Sequence, residues 1–351
     1  MRILVVNAGS STLKLRLLGD DDALLDSWDA WPTAVPPVDG VVHRFVHGGA
    51  SFRKAVVIDS DVEKQLDALV PLAPLHQPKS LAALNEAQLR FAQVPHVACF
   101  DTAFHATIPL AAATYALPHE WLARYEIRRY GFHGLSHAWV AKRVAALVSD
   151  ARRVVSCHLG AGASLCAILD GVSVDTTMGF TPMEGLVMAT RPGDVDPGLL
   201  MWLTDREPDL ADRLEHGSGL TGLAGTGDMR ELLARNDDDA RLAVDVFVHR
   251  LRKGIAAMAA AMAGIDVCVF TGGIGENAPA IRSRTLAGLE FLGLAVEPTL
   301  NAAAHGDTDI SPAASAVKAL IVEAREDLEM AHQAGTVLAS QPSANPAMNS
   351  P

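Results

Sequence analysis

Positive charge is scarce in this chain of 351 residues. Lys and Arg number 29 against 41 Asp and Glu, which gives a formal net charge of −12 at pH 7. Proteins that coat nucleic acid or anionic membranes draw their affinity from a broad basic field, and this composition does not supply one. We therefore expect neither a nucleic-acid partner nor a membrane partner. Any anionic ligand has to be met by a few positive groups in one local site.

Cysteine is scarce as well, and its spacing argues against two common kinds of site. No CxxC pair is present, so we expect neither a zinc knuckle nor a redox motif. Only Cys157 has a polar neighbour, His158, and a buried strand position is the simpler explanation for it. We expect buried, reduced thiols in a cytosolic protein. The four cysteines are Cys99, Cys157, Cys166 and Cys268.

We expect neither a secretory leader nor a membrane span. The amino terminus enters an apolar strand directly and meets Lys14 and Arg16 too early for the apolar core of a signal peptide. The longest uncharged helical stretch, residues 254–265, ends before Asp266. It is shorter than the roughly 20 residues that a bilayer span requires. We interpret it as a buried helix and expect a cytoplasmic protein.

Aromatic residues make up only 5% of the chain although apolar residues make up 49%. The core therefore has to be built mainly from Ala, Val and Leu. Together with 28 glycines and 19 prolines, this composition favours an α/β fold. The length predicts two domains.

A strand, a Gly/Ser turn and a second strand occur twice. The first copy covers residues 3–17 and the second covers residues 154–169. Tight turns use Gly and Ser in any protein, so a chance hairpin is the alternative to a true duplication. The repeat suggests two domains of similar topology that face one another across a cleft.

Other segments have the periodicity of single elements. Residues 41–46, 97–100 and 267–271 are predicted strands, and residues 81–91, 136–147 and 240–263 are predicted helices. Residues 19–37 are polar and broken by prolines, so we interpret them as a connection that carries no obvious chemistry. Residues 341–351 are predicted to be a frayed tail.

Three glycine-rich turns follow apolar strands, at Gly9, at residues 160–162 and at residues 272–275. Backbone N–H groups in such turns bind anions, and glycine lets a phosphate approach closely. Each turn alone could be purely structural. Three of them at strand ends favour phosphate binding, because open α/β sheets bind ligands there. GxxxxGK[ST] and GxGxxG are both absent, which disfavours a P-loop enzyme and a Rossmann dehydrogenase.

Two arginines stand beside glycine-rich backbone, Arg44 before Gly48-Gly49 and Arg191 before Gly193. Either could bind an anion or pair with a surface carboxylate. Asp101 ends an apolar strand, where it could reach a cleft or cap the next turn. The i, i+4 histidine pairs 43/47 and 133/137 suggest a metal site, but the first lies on a predicted strand and the second spans a helix start, so we do not expect chelation. Glu184, Asp228 and Glu326 also stand out by their setting.

Seven segments, in order along nearly the whole chain, resemble the acetate kinase family, within the superfamily that joins acetate and sugar kinases to actin and the heat-shock chaperone ATPases. The segments are residues 6–14, 43–49, 72–76, 100–105, 130–137, 178–191 and 271–277. The resemblance implies an α/β fold of two actin-like (ribonuclease H-like) domains with a duplicated βββαβαβα core around a central cleft. The implied boundaries are residues 1–104 plus 327–340 for the first domain and 105–326 for the second.

The same resemblance implies an ATP-dependent phosphotransferase. ATP and acetate would be converted reversibly into ADP and acetyl phosphate by direct in-line transfer to the carboxylate, with Mg²⁺ or Mn²⁺. The second domain would bind the nucleotide and form a homodimer. The implied catalytic residues are Arg44, Asp101, His133 and Arg191.

The binding sites follow by position in the same way. The small apolar acyl pocket corresponds to Val46, Leu75, Phe132 and Pro182, with Arg44 beside the substrate carboxylate. The metal and its waters correspond to Asn7, Asp101 and Glu326. The nucleotide site corresponds to Lys14, His158, Leu159, Gly160, Ala161, Gly162, Asp228, Met229, Arg230, Gly272, Gly273, Ile274, Gly275, Glu276 and Asn277, with Ser10 and Thr12 beside the phosphates.

The chain also departs from the family pattern. Ala161 stands where the family usually has Asn, residues 19–37 form an unusually short connection, and residues 322–326 lack the usual Pro-Thr-Asn. Two alternatives therefore stay open. One is a different acceptor on the same scaffold, such as propionate, butyrate or a sugar hydroxyl. The other is an ATP-binding module with reduced catalysis.

Overall fold

The computed structural model describes residues 1–9 and 13–340, so the predicted tail 341–351 and the predicted phosphate contacts of Ser10 and Thr12 lie outside the described residues. The strands are β1 (Ile3–Ala8), β2 (Leu13–Leu18), β3 (Leu24–Trp28), β4 (Gly40–Phe45), β5 (Val56–Val57), β6 (His96–Phe100), β7 (Arg153–Leu159), β8 (Ala163–Leu169), β9 (Val172–Thr176), β10 (Val267–Thr271), β11 (Thr308–Asp309) and β12 (Lys318–Ile321).

The helices connect these strands in the alternation expected of an α/β protein. They are α1 (Ser60–Ala68), α2 (Gln77–Arg90), α3 (Leu110–Ala113), α4 (His119–Tyr125), α5 (Gly134–Leu147), α6 (Pro197–Thr204), α7 (Leu210–His216), α8 (Gly219–Ala224), α9 (Met229–Ala234), α10 (Asp238–Ala261), α11 (Gly272–Asn277), α12 (Pro279–Leu286), α13 (Pro298–Ala303) and α14 (Glu326–Ala339). Short 3₁₀ turns lie at Asp20–Asp22, Val70–Leu72, Ala103–Thr107 and Glu290–Leu292.

Within the described residues, the first of two compact units comprises the chain from Met1 to Ala103 and residues 326–340. Its sheet has the order β3-β2-β1-β4-β6-β5. The meander β1-β2-β3 is antiparallel, β1, β4 and β6 are parallel, and β5 is a short antiparallel edge. Helices α2 and α14 pack against β1 and β4, where buried Val and Leu side chains form the core. The carboxyl ends of β1, β4 and β6 therefore lie along one edge of the sheet.

The second unit comprises Phe104–Arg325, and its sheet repeats the same plan. Read from the meander edge, its strand order is β9-β8-β7-β10-β12-β11. The meander is again antiparallel, β7, β10 and β12 are parallel, and β11 is the short antiparallel edge. The duplication predicted from the two hairpins is confirmed, and each unit has the ribonuclease H-like topology of an actin-like domain.

The long helix α10 shows how the sequence specifies this packing. Asp237 caps its amino terminus by accepting a hydrogen bond from the backbone N–H of Ala240. Val244, Phe247 and Leu251 recur at helical spacing and are buried. The predicted span, 240–263, differs from the observed one by two residues at each end, because Ala263 and Gly264 leave the helical conformation with positive φ angles.

Two segments contain more regular structure than the sequence indicates. Residues 19–37, interpreted as a polar and proline-broken connection, contain β3, whose leucines Leu24 and Leu25 are about half exposed at 51% and 50%. An edge strand without a buried face carries no apolar alternation for a sequence to reveal. Residues 272–275, predicted to be a glycine-rich turn, lie in the first part of α11, where Gly272 adopts a φ of +77°.

The predicted domain boundaries lie one residue from those of the compact units. Ala103 ends the first unit and Glu326 begins its return segment, so Glu326 belongs to the first unit and not to the second. In the part of the chain that is described, no helix combines the length and the apolar composition needed to cross a bilayer.

Candidate active site

In the first unit, three polar side chains lie at or just after the ends of parallel strands. Asn7 lies near the end of β1, Arg44 near the end of β4, and Asp101 directly after β6. Register holds them together, since the backbone N–H of Asp101 donates to the carbonyl of Phe45 at 3.0 Å. The structure thus gathers three of the predicted site residues at one sheet edge.

Arg44 is the centre of this group. Its Nε and Nη2 donate to the two carboxylate oxygens of Asp101 at 3.0 and 2.6 Å, a bidentate pair. Its Nη1 lies 3.2 Å from Asn7 Oδ1 and 3.5 Å from Glu326 Oε2. The guanidinium is therefore held in a fixed orientation by three oxygen-bearing side chains.

The electrostatics of this cluster follow from its burial. Burial alone would lower the pKa of Arg44, but the nearby charges of Asp101 and Glu326 outweigh it, so the pKa of Arg44 is raised. Burial raises the pKa of Asp101, and the Arg44 guanidinium opposes that rise. The Asp101 side chain is only 2% exposed, so its pairing with Arg44 is what makes a carboxylate tolerable there.

The same oxygens fit a magnesium ion. Asn7, Asp101 and Glu326 supply amide and carboxylate oxygens, the donors that Mg²⁺ prefers. Among residues 1–9 and 13–340, no group of three or more His, Cys, Asp and Glu side chains could hold a metal ion unaided. Mg²⁺ in proteins is usually held by one or two carboxylates together with waters and substrate phosphates. Lys14 stands opposite Asn7 in the β1–β2 pair and is exposed.

In the second unit, the corresponding group of polar side chains is built around His133. It precedes α5 in the left-handed conformation, with a φ of +55°, which turns the chain sharply into the helix. Its Nδ1 lies 3.0 Å from Ser164 Oγ on β8. Its ring stacks on His158 with ring centroids 4.3 Å apart, and His158 Nδ1 lies 2.8 Å from Ser136 Oγ.

Gly162 brings His133 and Arg191 to one place. A Cβ added at Gly162 would lie 2.9 Å from Arg191 Nη2 and 3.1 Å from His133 Nε2. Both side chains therefore border the space above the turn between β7 and β8. The close approach of the two side chains to this turn requires glycine at position 162.

Arg191 is held differently from Arg44. Its Nη1 donates to the carbonyl oxygen of Pro182. Burial lowers the pKa of Arg191, and Glu215 opposes that shift only partly. Within residues 1–9 and 13–340, no carboxylate forms a bidentate pair with this guanidinium, an arrangement that suits an anionic ligand.

The predicted nucleotide segments of the second unit form one chain of contacts. The carbonyl of Ala161 accepts from the N–H of Ala189 at 2.9 Å, and a Cβ at Gly227 would lie 2.8 Å from Ala189 Cβ. A Cβ at Gly272 would lie 2.9 Å from the carbonyl oxygen of Leu159. The predicted sites at residues 158–162, 228–230 and 272–277 are thus brought together within this unit.

Not every side chain in those segments is available to a ligand. Met229 is buried, and Asp228 caps α9 and pairs with Arg230 at 2.7 Å, an arrangement that lowers the pKa of Asp228 to about 2. Glu276 Oε1 accepts from the N–H groups of Gly272 and Ala324 at 2.9 and 3.0 Å. Asn277 donates to the carbonyl of Gly273 at 3.0 Å. These four side chains shape the loops that carry the predicted site.

The predicted acyl-pocket residues are divided between the units. In the first unit Val46 is buried and Leu75 is 39% exposed. In the second unit Phe132 is 1% exposed and Pro182 is half-buried. The Pro182 carbonyl binds Arg191, so this residue positions an arginine as well as offering an apolar surface.

The match to known proteins is extensive. The model of the acetokinase family matches residues 25–332. The chain belongs to the acetokinase family. An acetate kinase from Deinococcus deserti is 48% identical over 317 residues, which cover 87% of this chain and 79% of that protein.

Solved structures agree with this assignment. The crystal structure of Porphyromonas gingivalis acetate kinase has a TM-score of 0.88 and 31% identity, covering 96% of this chain and 99% of that one. The crystal structure of a propionate kinase from Francisella tularensis subsp. tularensis SCHU S4 has the same TM-score and 33% identity, covering 95% of this chain and 98% of that one. The predicted family and fold are therefore confirmed.

Sequence reasoning missed several polar residues that support the acetokinase site. Ser156 and Ser164 lie on apolar strands and bond to His137 and His133. Tyr115 and Arg129, together with the already noted Glu184, hold the backbone around Gly179 and Phe180. The sequence contained only a weak signal for Ser156 and Ser164. Ser156 and His158 are two residues apart on β7, so they share a face, and His158 stands opposite Ser164 on β8.

Proposed function

We propose that this chain transfers a phosphoryl group between ATP and acetate, giving ADP and acetyl phosphate. Membership in the acetokinase family supports the reaction class. The observation that carries the proposal is the pair of side chains above Gly162, His133 and Arg191, which approach its backbone more closely than an added methyl group would allow. Such donors suit a migrating anionic group.

The reaction needs little proton transfer. An acetate oxygen attacks the γ-phosphorus in line, and the bond from that phosphorus to the β,γ-bridging oxygen breaks as ADP leaves. A carboxylate is already ionised at pH 7, so no general base has to remove a proton. The protein has to align the reactants and balance negative charge.

Each proposed catalytic residue has one task. Arg44, fixed by Asp101, binds the substrate carboxylate. Arg191 and His133 Nε2 donate to the oxygens of the transferring group, where negative charge accumulates. The backbone of residues 158–162 and 272–277 binds the nucleotide phosphates and adenosine, with Lys14 beside the phosphates.

Magnesium fits the remaining oxygens. Asn7, Asp101 and Glu326 would hold Mg²⁺ or its waters in the first unit. When bound, the ion supplies charge neutralisation of the phosphate oxygens.

Acetate is the proposed acceptor because the residues that correspond to the family's acyl pocket, Val46, Leu75, Phe132 and Pro182, are all apolar and fairly bulky, which favours a short-chain acid. One additional methylene changes the free energy by which an enzyme discriminates between two such acids by only about 1–3 kcal/mol. Propionate is therefore expected to react more slowly, by about 10-fold to 200-fold. The structural similarity to a propionate kinase supports propionate as the second acceptor.

The proposed form is a cytoplasmic homodimer joined through the second unit. Helix α6 in that unit leaves Leu199, Met201 and Trp202 at 45%, 71% and 55% exposure, an apolar surface suited to a second copy of the chain. All four cysteines are buried thiols, which supports a reducing compartment.

Acceptor-dependent ADP release tests this proposal. The protein with Mg·ATP is assayed against acetate, propionate, butyrate and glucose at equal concentration. Fastest release with acetate supports the proposal, and fastest release with glucose contradicts it. Tight Mg·ATP binding without release for any acceptor would identify an ATP-binding module instead.

A further inference from the structure

A buried run of hydrogen bonds lies behind His133. Ser164 Oγ is 3.0 Å from His133 Nδ1 and 2.9 Å from His137 Nε2. On the other side of its ring, His137 Nδ1 is 2.8 Å from Ser156 Oγ. Ser156, Ser164 and His137 are all 0% exposed, so water does not compete for these groups. We call the run Ser156–His137–Ser164 the relay.

The protons in the relay can be counted. A serine hydroxyl carries one proton, so Ser164 donates to one of its two imidazole partners and accepts from the other. Burial lowers the pKa of His137 well below its ordinary value, aided by the nearby His105 and His158. A neutral His137 has one N–H, and therefore donates to only one of the two serines.

Two arrangements of hydrogen-bond donors and acceptors satisfy these proton counts, but they differ in the role of the Ser156 hydroxyl. If His137 donates from Nε2, it donates to Ser164, Ser164 donates to His133 Nδ1, and Ser156 donates to His137 Nδ1. If His137 donates from Nδ1 instead, the hydroxyl of Ser156 needs another acceptor. Among the described residues, the side chain of Ser156 bonds to His137 alone. Since a buried donor without an acceptor is unfavourable, the first arrangement is preferred.

We infer that the relay fixes His133 as a neutral imidazole protonated at Nε2, with Ser164 as the positioning residue that contacts it. Nε2 is the atom that borders the space above Gly162, so a hydrogen-bond donor stands there before any ligand arrives. The inference rests on the proposed function only in taking His133 to donate to the transferring phosphoryl group. Its structural part, the location of the proton, stands apart from the reaction.

The first test is ¹⁵N NMR of histidine-labelled protein, with the His133 signals assigned by their loss in His133→Asn. The inference predicts a protonated Nε2 and a bare, accepting Nδ1 in the wild type at neutral pH. In Ser164→Ala we expect averaging between the two tautomers. A wild-type His133 protonated at Nδ1 would overturn the inference, even if the enzyme proved fully active.

The second test is a double-mutant cycle in kcat. Ser164→Ala is expected to lower kcat by about tenfold to a hundredfold with KM for ATP within about twofold, the size of effect seen when a reacting group is misplaced. In the His133→Asn background the same change should cost nothing further, because the relay acts through His133. Equal losses in both backgrounds would mean a merely structural role.

Ser173→Ala is the matched control. Ser173 is also 0% exposed and its Oγ lies 2.9 Å from the ring nitrogen of another buried histidine, His105, outside the relay. We expect kcat within about twofold of the wild type. An equal loss of kcat in this variant would overturn the inference.

If Ser164→Ala does not fold, Ser156→Ala removes the far end of the relay and is judged by the same cycle. If the wild type transfers no phosphoryl group, the proposed function fails, and the NMR result still decides where the proton lies.

Discussion

The two units share one strand order but hold their key arginines in different ways. In the first unit Arg44 is paired in bidentate fashion with Asp101 at 2.6 and 3.0 Å. In the second unit Arg191 donates to the carbonyl of Pro182, and burial lowers its pKa. Arg44 is thus oriented by a buried carboxylate, whereas Arg191 is held by a backbone carbonyl. The duplicated scaffold supplies position, and the partners at the strand ends decide what each position does.

The two units also differ in the segments that connect their strands. Residues 29–39 join β3 to β4 in the first unit by a short irregular path, whereas residues 177–266 between β9 and β10 in the second unit contain five helices, α6–α10, and Arg191. Because the insertion leaves the sheet order unchanged, function has been added to this fold through its loops.

Arg44→Ala should have the largest effect on stability. The change leaves Asp101 as a buried carboxylate without its cation, which costs about 3–5 kcal/mol of the free energy of unfolding. Urea unfolding measures it, with Lys64→Ala as the control, since Lys64 pairs with Asp61 on the surface of the same unit. A loss no greater than that of the control would show that the pair is not structural.

Arg191→Ala should instead act on turnover. We expect kcat to fall by about 10²–10³-fold, as when one donor to a transition-state oxyanion is removed, with little change in unfolding. Arg152→Ala, which removes an exposed pair with Asp170, is the matched control in the same unit. Near-normal kcat in Arg191→Ala would remove the proposed difference between the two arginines.

Acid should weaken the second unit through His105. Burial lowers its pKa to about 4 from an ordinary 6.5, although its bond to the Phe132 carbonyl opposes the shift. A depressed pKa gives stability that is fully present above pH 6.5 and is lost progressively as the pH falls from 6.5 to about 4, in total about 3 kcal/mol. Between pH 7 and 5, His105→Gln should therefore lose about 2 kcal/mol less than the wild type in urea unfolding.

Exposed His119 in α4 provides the control for that comparison. His119→Gln should unfold with the pH dependence of the wild type. An unchanged pH dependence in His105→Gln would mean that His105 is not buried in its neutral form.

The smallest effects concern one helical glycine in each unit. A Cβ at Gly335 in α14 would meet open space, so Gly335→Ala should raise the free energy of unfolding by about 0.5–1 kcal/mol. A Cβ at Gly254 in α10 would lie 2.6 Å from Leu165 Cδ1, so Gly254→Ala should lower it by about 1–3 kcal/mol. Thermal unfolding of both variants measures the difference, and equal signs would contradict the packing described.

Much of the fold could be predicted from the sequence because its buried elements carry strong periodicity. The paired hairpins and α10 are examples, since their apolar residues repeat at spacings of two and of three to four. The edge strand β3 could not be predicted, because its leucines are exposed and show no alternation. Helix α11 was missed because its three glycines disfavour helix formation. Hydrogen bonds with Glu276 and Arg282 stabilise the helix in the folded protein.

The candidate site was predictable only in part. Arg44, Asp101, His133 and Arg191 could be singled out because they match family motifs beside glycine-rich turns. The relay could not, because Ser156 and Ser164 are ordinary residues for a buried strand until the hydrogen bonds of His137 are known. Hydrogen bonds between residues far apart in sequence leave little trace in any one segment.

The central claim is that a carboxylate receives the phosphoryl group. Mixing the protein with Mg·ATP, acetate and hydroxylamine tests it directly, since hydroxylamine converts acyl phosphate into a coloured hydroxamate. We expect hydroxamate to form only when protein, ATP and acetate are all present. With Arg191→Ala it should form at least about 10²-fold more slowly. Bound ATP with no hydroxamate above the protein-free background would contradict it.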